Sequence, residues 1–132
     1  MHRPHRDTIM LEDAEILSHE AFAGDQYVMR VKAPGCASRA LPGQFAHLTV
    51  DPQRPMRRPI SIMRASAEEG WVDFLYKAHG EGTHLLAQRE RGELISVLGP
   101  IGVPFEIKEK RPLLIGGGVG MPPMIFIADY LR

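Results

Sequence analysis

Trp71-Val72-Asp73-Phe74-Leu75-Tyr76-Lys77-Ala78-His79 is the stretch on which the fold turns, and Gly80-Glu81-Gly82-Thr83 follows it directly. In an extended chain Val72, Phe74, Tyr76 and Ala78 fall on one side, with Asp73, Leu75 and Lys77 on the other. Alternation with period two marks a strand that turns one face to a core. The same period recurs upstream. Gln44–Val50 sets Ala46, Leu48 and Val50 against Phe45, His47 and Thr49, and Gln26–Lys32 sets Tyr27, Met29 and Val31 against Val28, Arg30 and Lys32. Met10–Leu17, Pro59–Met63 and Leu94–Leu98 are shorter candidates, and Gly and Pro punctuate the intervals. Short strands at this spacing predict an antiparallel barrel or sandwich, since closure removes vulnerable sheet edges.

Two segments break the rhythm. Thr83–Arg89, after the Gly80-Glu81-Gly82 turn, reads as a short helix between strands. Pro112-Leu113-Leu114-Ile115 reads as a compact apolar strand of the buried, parallel kind. Gly116-Gly117-Gly118-Val119-Gly120 and Met121-Pro122-Pro123 follow it, then an apolar helix from Met124 to Leu131. Strand, glycine loop and helix form the first unit of an α/β domain. The expected organisation is therefore a β domain over residues 1–110 and the start of a truncated α/β domain over 111–132. The truncated piece needs further strands, from residues beyond it or from another polypeptide, to bury its faces.

Composition limits the function classes. The 132 residues are 44% hydrophobic and 24% charged, the balance of a globular protein. Sixteen Lys and Arg offset sixteen Asp and Glu, so no global charge draws the chain to nucleic acid or an anionic membrane. Cys36 is the only cysteine, which excludes an internal disulfide and a cysteine-ligated cluster within these residues. It reads as a turn residue with no neighbouring base. No apolar run approaches the roughly 20 residues that span a bilayer. The segment Met1–Asp7 reads as a polar tail carrying His2 and His5, unlike a signal peptide, so a cytoplasmic location is expected. The six histidines show no ligand spacing, and no metal site is expected.

Three segments could hold an anionic ligand. The glycines at 116, 117, 118 and 120 let backbone approach a phosphate closely, and the following helix offers free N–H groups and a positive dipole end. The same residues also suit a plain strand-to-helix turn, and neither G-x-G-x-x-G nor a Walker loop is present. In Arg57-Arg58-Pro59-Ile60-Ser61-Ile62, Pro59 holds Arg58 extended, where a guanidinium can make paired, charge-assisted bonds to phosphate. A solvated turn is the plainer alternative. Gly80-Glu81-Gly82-Thr83 places glycines and a threonine at a helix start, suited to an anion or to ordinary capping. Tyr76 and Lys77 on the adjoining strand can border a flat aromatic ligand, and His79 or His84 is a further neighbour to consider.

Taken in order, these motifs resemble the ferredoxin–NADP reductase superfamily along nearly the whole chain. Pro42-Gly43-Gln44-Phe45, Arg58-Pro59-Ile60-Ser61, Gly80-Glu81-Gly82-Thr83, Leu98-Gly99-Pro100-Ile101-Gly102 and Gly116–Pro123 each look like a family motif. The wording around Arg57–Ile62 and Gly80–Leu86 is closest to the electron-transfer subunits of dihydroorotate dehydrogenases. The resemblance implies a mainly β fold: an antiparallel Greek-key flavin-binding barrel followed by the first strand, loop and helix of an α/β nucleotide-binding domain. It implies FAD as cofactor, held by Arg58, Pro59, Ile60, Ser61, Ile62, Tyr76, Lys77, Gly80, Gly82 and Thr83, with Ser61 in the catalytic role. Gly116, Gly117, Gly118 and Gly120 would receive NADH or NADPH. An iron–sulfur cluster is implied only outside the given residues. The implied function is an oxidoreductase passing electrons between NAD(P)H, FAD and a partner redox protein or dehydrogenase subunit. The 132-residue chain alone is expected to be a poor catalyst of nicotinamide oxidation. A non-catalytic, partner-binding barrel of a larger redox complex is the alternative.

Overall fold

The computed structural model describes residues 8–132. The polar tail with His2 and His5 lies outside them. Six strands close into one antiparallel barrel: β1 (Met10–Phe22), β2 (Gln26–Lys32), β3 (Phe45–Asp51), β4 (Arg54–Ser66), β5 (Trp71–Lys77) and β6 (Leu94–Ile101). Around the barrel they run β1-β2-β5-β4-β3-β6. Strands β3, β4 and β5 follow one another as neighbours and β6 returns beside β3, which is a Greek key. Helix α1 (Pro34–Arg39) joins β2 to β3, α2 (Glu81–Ala87) joins β5 to β6, and α3 (Met121–Tyr130) follows the last strand.

The alternation read from the sequence is the alternation of the barrel wall. Met29 and Val31, Ala46, Leu48 and Val50, and Val72, Phe74 and Tyr76 are all buried. Each large apolar side chain so buried contributes roughly 1.5–3 kcal/mol. Asp73 is the exception on its strand's outer face. It is buried because Arg30, its partner across the β2–β5 ladder, grips it with two bonds of 2.7 and 2.9 Å. Arg30 itself lies over the Trp71 ring at 3.6 Å, a cation–π contact.

Strands β1 and β4 are longer than the apolar period suggests. β1 continues through Ser18, His19 and Glu20 because its ladder with β2 runs on to Phe22 opposite Gln26. Backbone pairing there outlasts the hydrophobic pattern. Cys36 sits in a helix, not a turn: the Glu12 carboxylate accepts hydrogen bonds from the Gly35 and Cys36 N–H groups, both at 2.8 Å. Burial pushes the Cys36 thiol up to about 12, with the Glu12 charge adding to it.

Two of the quoted motifs form one structural knot. Gly43, in the Pro42-Gly43-Gln44-Phe45 run, has φ +99°, and a Cβ there would meet the Phe105 ring at 2.8 Å. The buried Gln44 side chain accepts from Leu41 N–H at 2.9 Å and donates to the Gly102 carbonyl at 2.8 Å. The start of β3 is thereby tied to the turn that ends β6.

The segment at Pro112–Ile115 differs from the expectation. Among the described residues it pairs with no strand, and Leu113 and Ile115 are 85% and 80% exposed. A parallel strand is held by neighbours on its flanks, and none of the described residues supplies them. Helix α3 begins three residues earlier than the apolar run, because Pro122 and Pro123 are tolerated in a first turn whose N–H groups need no intrahelical partner. It packs on β4, burying Phe126 and Ile127.

Candidate functional site

The barrel is closed, yet β4 and β5 are joined along only part of their length. Their ladder runs from Ser66 opposite Trp71 to Ile62 opposite Phe74, with a register shift before Ile62, and pairs nothing beyond it. From there β4 continues with β3 alone, through Ser61, Ile60, Pro59 and Arg58, while Leu75, Tyr76 and Lys77 pair with β2 alone. The two strands diverge and leave a cleft. Its volume is about 480 Å³, inside the roughly 300–1,000 Å³ range of small-molecule sites. Arg58, Pro59, Ile60 and Ser61 form one wall and Leu75, Tyr76 and Lys77 the other. His79, Gly80, Gly82 and Thr83, at the start of α2, close the end.

The α2 end is shaped by Thr83. Its Oγ1 accepts from the N–H groups of His79 at 3.0 Å and Gly80 at 3.1 Å, which folds the glycine turn back on the helix. The Arg58 guanidinium lies against Gly82: a Cβ built on Gly82 would stand 2.5 Å from Arg58 Nε. A larger residue there would push the guanidinium aside. The Arg58 side chain makes no hydrogen bond or ion pair among the described residues, nor do those of Ser61 and Lys77. Adjacent Arg57 is committed elsewhere, donating to Ser96 Oγ at 2.8 Å and more weakly to the Ser96 and His47 carbonyls. Beyond the Arg58–Gly82 contact lies a second hollow of about 330 Å³, lined by Val50, Pro55, Met56 and again Arg58 and Gly82. An ion pair between Arg54 and Glu81 spans it. Arg58 thus stands on a ridge between two hollows.

Tyr76 is 2% exposed. Its hydroxyl meets His19 Nε2 at 2.7 Å, and its ring stacks on Tyr27 at 5.5 Å between centroids. Burial pushes the Tyr76 hydroxyl well above the usual phenol range, with Tyr27 adding to it. It stays protonated at any working pH.

Of the residues singled out in the sequence, Arg58, Pro59, Ile60 and Ser61 line this cleft together with Tyr76, Lys77, Gly80, Gly82 and Thr83. Ile62 does not. It is wholly buried in the core, because alternation turns it inward at the point where β4 and β5 are still joined. Gly116, Gly117, Gly118 and Gly120 do not line the cleft either. Their turn, Gly118–Gly120, comes up to β5 while α3 packs on β4, so the glycine loop and the cleft share the same two strands. Leu75 and His79 line the cleft without having been assigned to it, and His84 does not. His79 had a signal in its place before Gly80. Leu75 had none, since only the divergence of the strands exposes it. Among the described residues no group of three His, Cys, Asp or Glu side chains is placed to hold a metal ion, and no helix is long and apolar enough to cross a membrane.

No family model matches the chain. Among curated proteins it is 35% identical over 128 residues to the dihydroorotate dehydrogenase B (NAD(+)) electron transfer subunit of Fusobacterium nucleatum, covering 92% of this chain and 49% of that one. It is 43% identical over 96 residues to the subunit of the same name from Bacillus mycoides, covering 68% of this chain and 37% of that one. Among solved structures, an NADH-dependent reduced ferredoxin–NADP oxidoreductase superposes with a TM-score of 0.83 at 32% identity, over 91% of this chain and 44% of that one. The ferredoxin reductase of carbazole 1,9a-dioxygenase superposes with a TM-score of 0.76 at 26% identity, over 92% of this chain and 39% of that one. In sequence and in fold the chain is similar to the ferredoxin–NADP reductase superfamily and to the electron-transfer subunits of dihydroorotate dehydrogenases, as the order of its motifs implied. It spans half or less of the length of these curated relatives.

Proposed function

We propose that the chain holds FAD in the β4–β5 cleft and serves as the flavin-carrying part of an oxidoreductase, passing electrons between NAD(P)H and a downstream acceptor. The observation that carries this reading is the ridge. One uncommitted guanidinium, Arg58, rests against Gly82 between hollows of about 480 and 330 Å³. An elongated ligand with a central diphosphate suits two hollows separated by a cation. The residues fit the cofactor: Arg58 and the first-turn N–H groups at Gly82 and Thr83 would hold the diphosphate. Pro59, Ile60, Leu75 and Tyr76 would flank the ring, Ile60 giving aliphatic contact. Ser61, whose hydroxyl has no partner among the described residues, would donate a hydrogen bond at the reactive edge, and Lys77 and Gly80 would border the ligand.

A bound flavin would supply the redox chemistry here, two-electron exchange with a reduced nicotinamide and one-electron exchange with an acceptor. This chain's part is to orient the ring between two strands, to satisfy its polar edge with backbone and Ser61, and to neutralise the diphosphate. Gly116, Gly117, Gly118 and Gly120 would admit the nicotinamide nucleotide on the side of β5. Within this reading residues 1–110 are the FAD domain and 111–132 begin the NAD(P) domain. The partner is a redox protein or dehydrogenase subunit, the location is the cytoplasm, and any iron–sulfur cluster belongs to residues outside this chain.

The test is a visible spectrum of the purified chain after FAD is added and excess removed. Retained flavin absorbance, bleached by NADH or NADPH, is the expected result. A folded chain that retains none leaves the second reading, a partner-binding barrel, which the exposed Leu113 and Ile115 favour.

A further inference from the structure

Behind the cleft, three rings from three strands pack together. His19 of β1 lies 5.6 Å from Tyr27 of β2 and 6.0 Å from Tyr76 of β5, between ring centroids. The hydrogen bonds select one tautomer of the neutral imidazole. His19 Nδ1 is 2.7 Å from the Arg89 carbonyl, which only accepts, so Nδ1 carries the proton and donates. In the neutral imidazole Nε2 is then the acceptor, and the Tyr76 hydroxyl donates to it. Arg89 is itself buried and anchored, its guanidinium on Glu93 and on the Leu94 carbonyl at the start of β6. A continuous chain of bonds therefore runs from β6, through Arg89 and His19, to Tyr76, a residue of the cleft wall.

We propose that His19 is a positioning residue for the cleft: by accepting a hydrogen bond from the Tyr76 hydroxyl it fixes the wall against which a flavin ring lies. Neither the cleft motifs nor their spacing single it out, since 57 residues separate it from Tyr76. The physical need is specific. Tyr76 lies in the part of β5 that has lost β4 as a partner, so its main chain is held on one side only. Its hydroxyl is buried and would be left without a partner if His19 were apolar. Without that bond the Tyr76 ring is no longer held at its tip. His19 thereby holds the Tyr76 ring in that wall.

This inference rests on the reading that flavin occupies the cleft, and its test separates the two. FAD dissociation constants and the position of the bound-flavin absorption band are measured for the full chain and for His19→Leu, His19→Gln, Tyr76→Phe and the His19→Leu/Tyr76→Phe double variant. Thermal unfolding of each checks that it folds. His19→Leu is expected to weaken FAD about fivefold, the worth of one hydrogen bond, and to shift the band. His19→Gln, which can still accept from Tyr76 and donate to Arg89, restores both. Tyr76→Phe gives the same loss, and adding His19→Leu to it gives no more. Wild-type affinity in His19→Leu, or an undiminished further loss in the Tyr76→Phe background, overturns the proposal while leaving the flavin site in place. Should His19→Leu fail to fold, Tyr76→Phe decides alone: binding FAD with wild-type affinity and spectrum, it overturns the proposal. If the wild-type chain binds no flavin, the cleft reading falls and this inference falls with it.

Discussion

Phe74, Met29, Ile16 and Leu48 in the barrel are fully buried, whereas Leu113 and Ile115, in a run no less apolar, stand 85% and 80% exposed. The two regions differ in what surrounds them. Each barrel strand finds a neighbour on both sides because the sheet closes on itself, so its inner face is dry whatever lies outside. The segment before the glycine loop has no strand beside it among the described residues. Apolar sequence confers a strand only where a ladder is available to receive it. The helix that follows fares better, since one face against β4 is enough to bury Phe126 and Ile127.

The widest gap between the two regions is expected in stability. Phe74→Ala should cost about 3–5 kcal/mol, read from urea unfolding, because it empties a closed core. A cost under about 1 kcal/mol would mean that the barrel is as loosely held as the exposed Pro112–Ile115 segment. The next effect concerns neighbours within the barrel. Arg58→Ala should weaken FAD by about 1.5–3 kcal/mol, as for a hydrogen bond to a charged group, with little change in the unfolding midpoint. Arg57→Ala should do the reverse, since its bonds go to Ser96 and His47. Equal flavin affinity in both variants would remove Arg58 from the site.

Smaller again, Asp73→Ala should destabilise by about 1–2 kcal/mol, moderated because the freed Arg30 is partly exposed and reaches water. Cys36 supplies a pH test. An unfolded thiol ionises near about 8.5, whereas burial holds the folded one at about 12. The stability from keeping it neutral is full below about pH 8.5 and drains away as pH rises toward 12. A Cys36→Ala variant should therefore lose less of its stability than the wild type between pH 8 and 10, by urea midpoints. Leu113→Ala closes the series with less than about 0.5 kcal/mol. A larger loss would show that the exposed run is covered in solution.

Much of the wall was legible in the sequence because period two is a local property: Ala46, Leu48 and Val50 announce their face without reference to any other strand. The cleft was legible through its punctuation, since Pro59, Gly80 and Gly82 impose backbone geometry wherever they stand. What the sequence hides is relational. Ile62 reads as a cleft residue until the β4–β5 ladder shows that the strands part only after it. Helix α1 is invisible because its cap is Glu12, more than twenty positions upstream. His19 likewise gains its role only from Tyr76 and Arg89, which folding brings to it.

Cys36 has one more consequence, in time rather than in energy. The thiol is sealed between α1 and the barrel wall, and the sequence contains no other. A small alkylating reagent can therefore reach sulfur only during moments when that corner opens. When closing outpaces the reagent, the labelling rate is the intrinsic thiol rate multiplied by the fraction of time spent open. The chain thus carries its own stopwatch for local breathing, and a ligand that grips the barrel would slow its ticking.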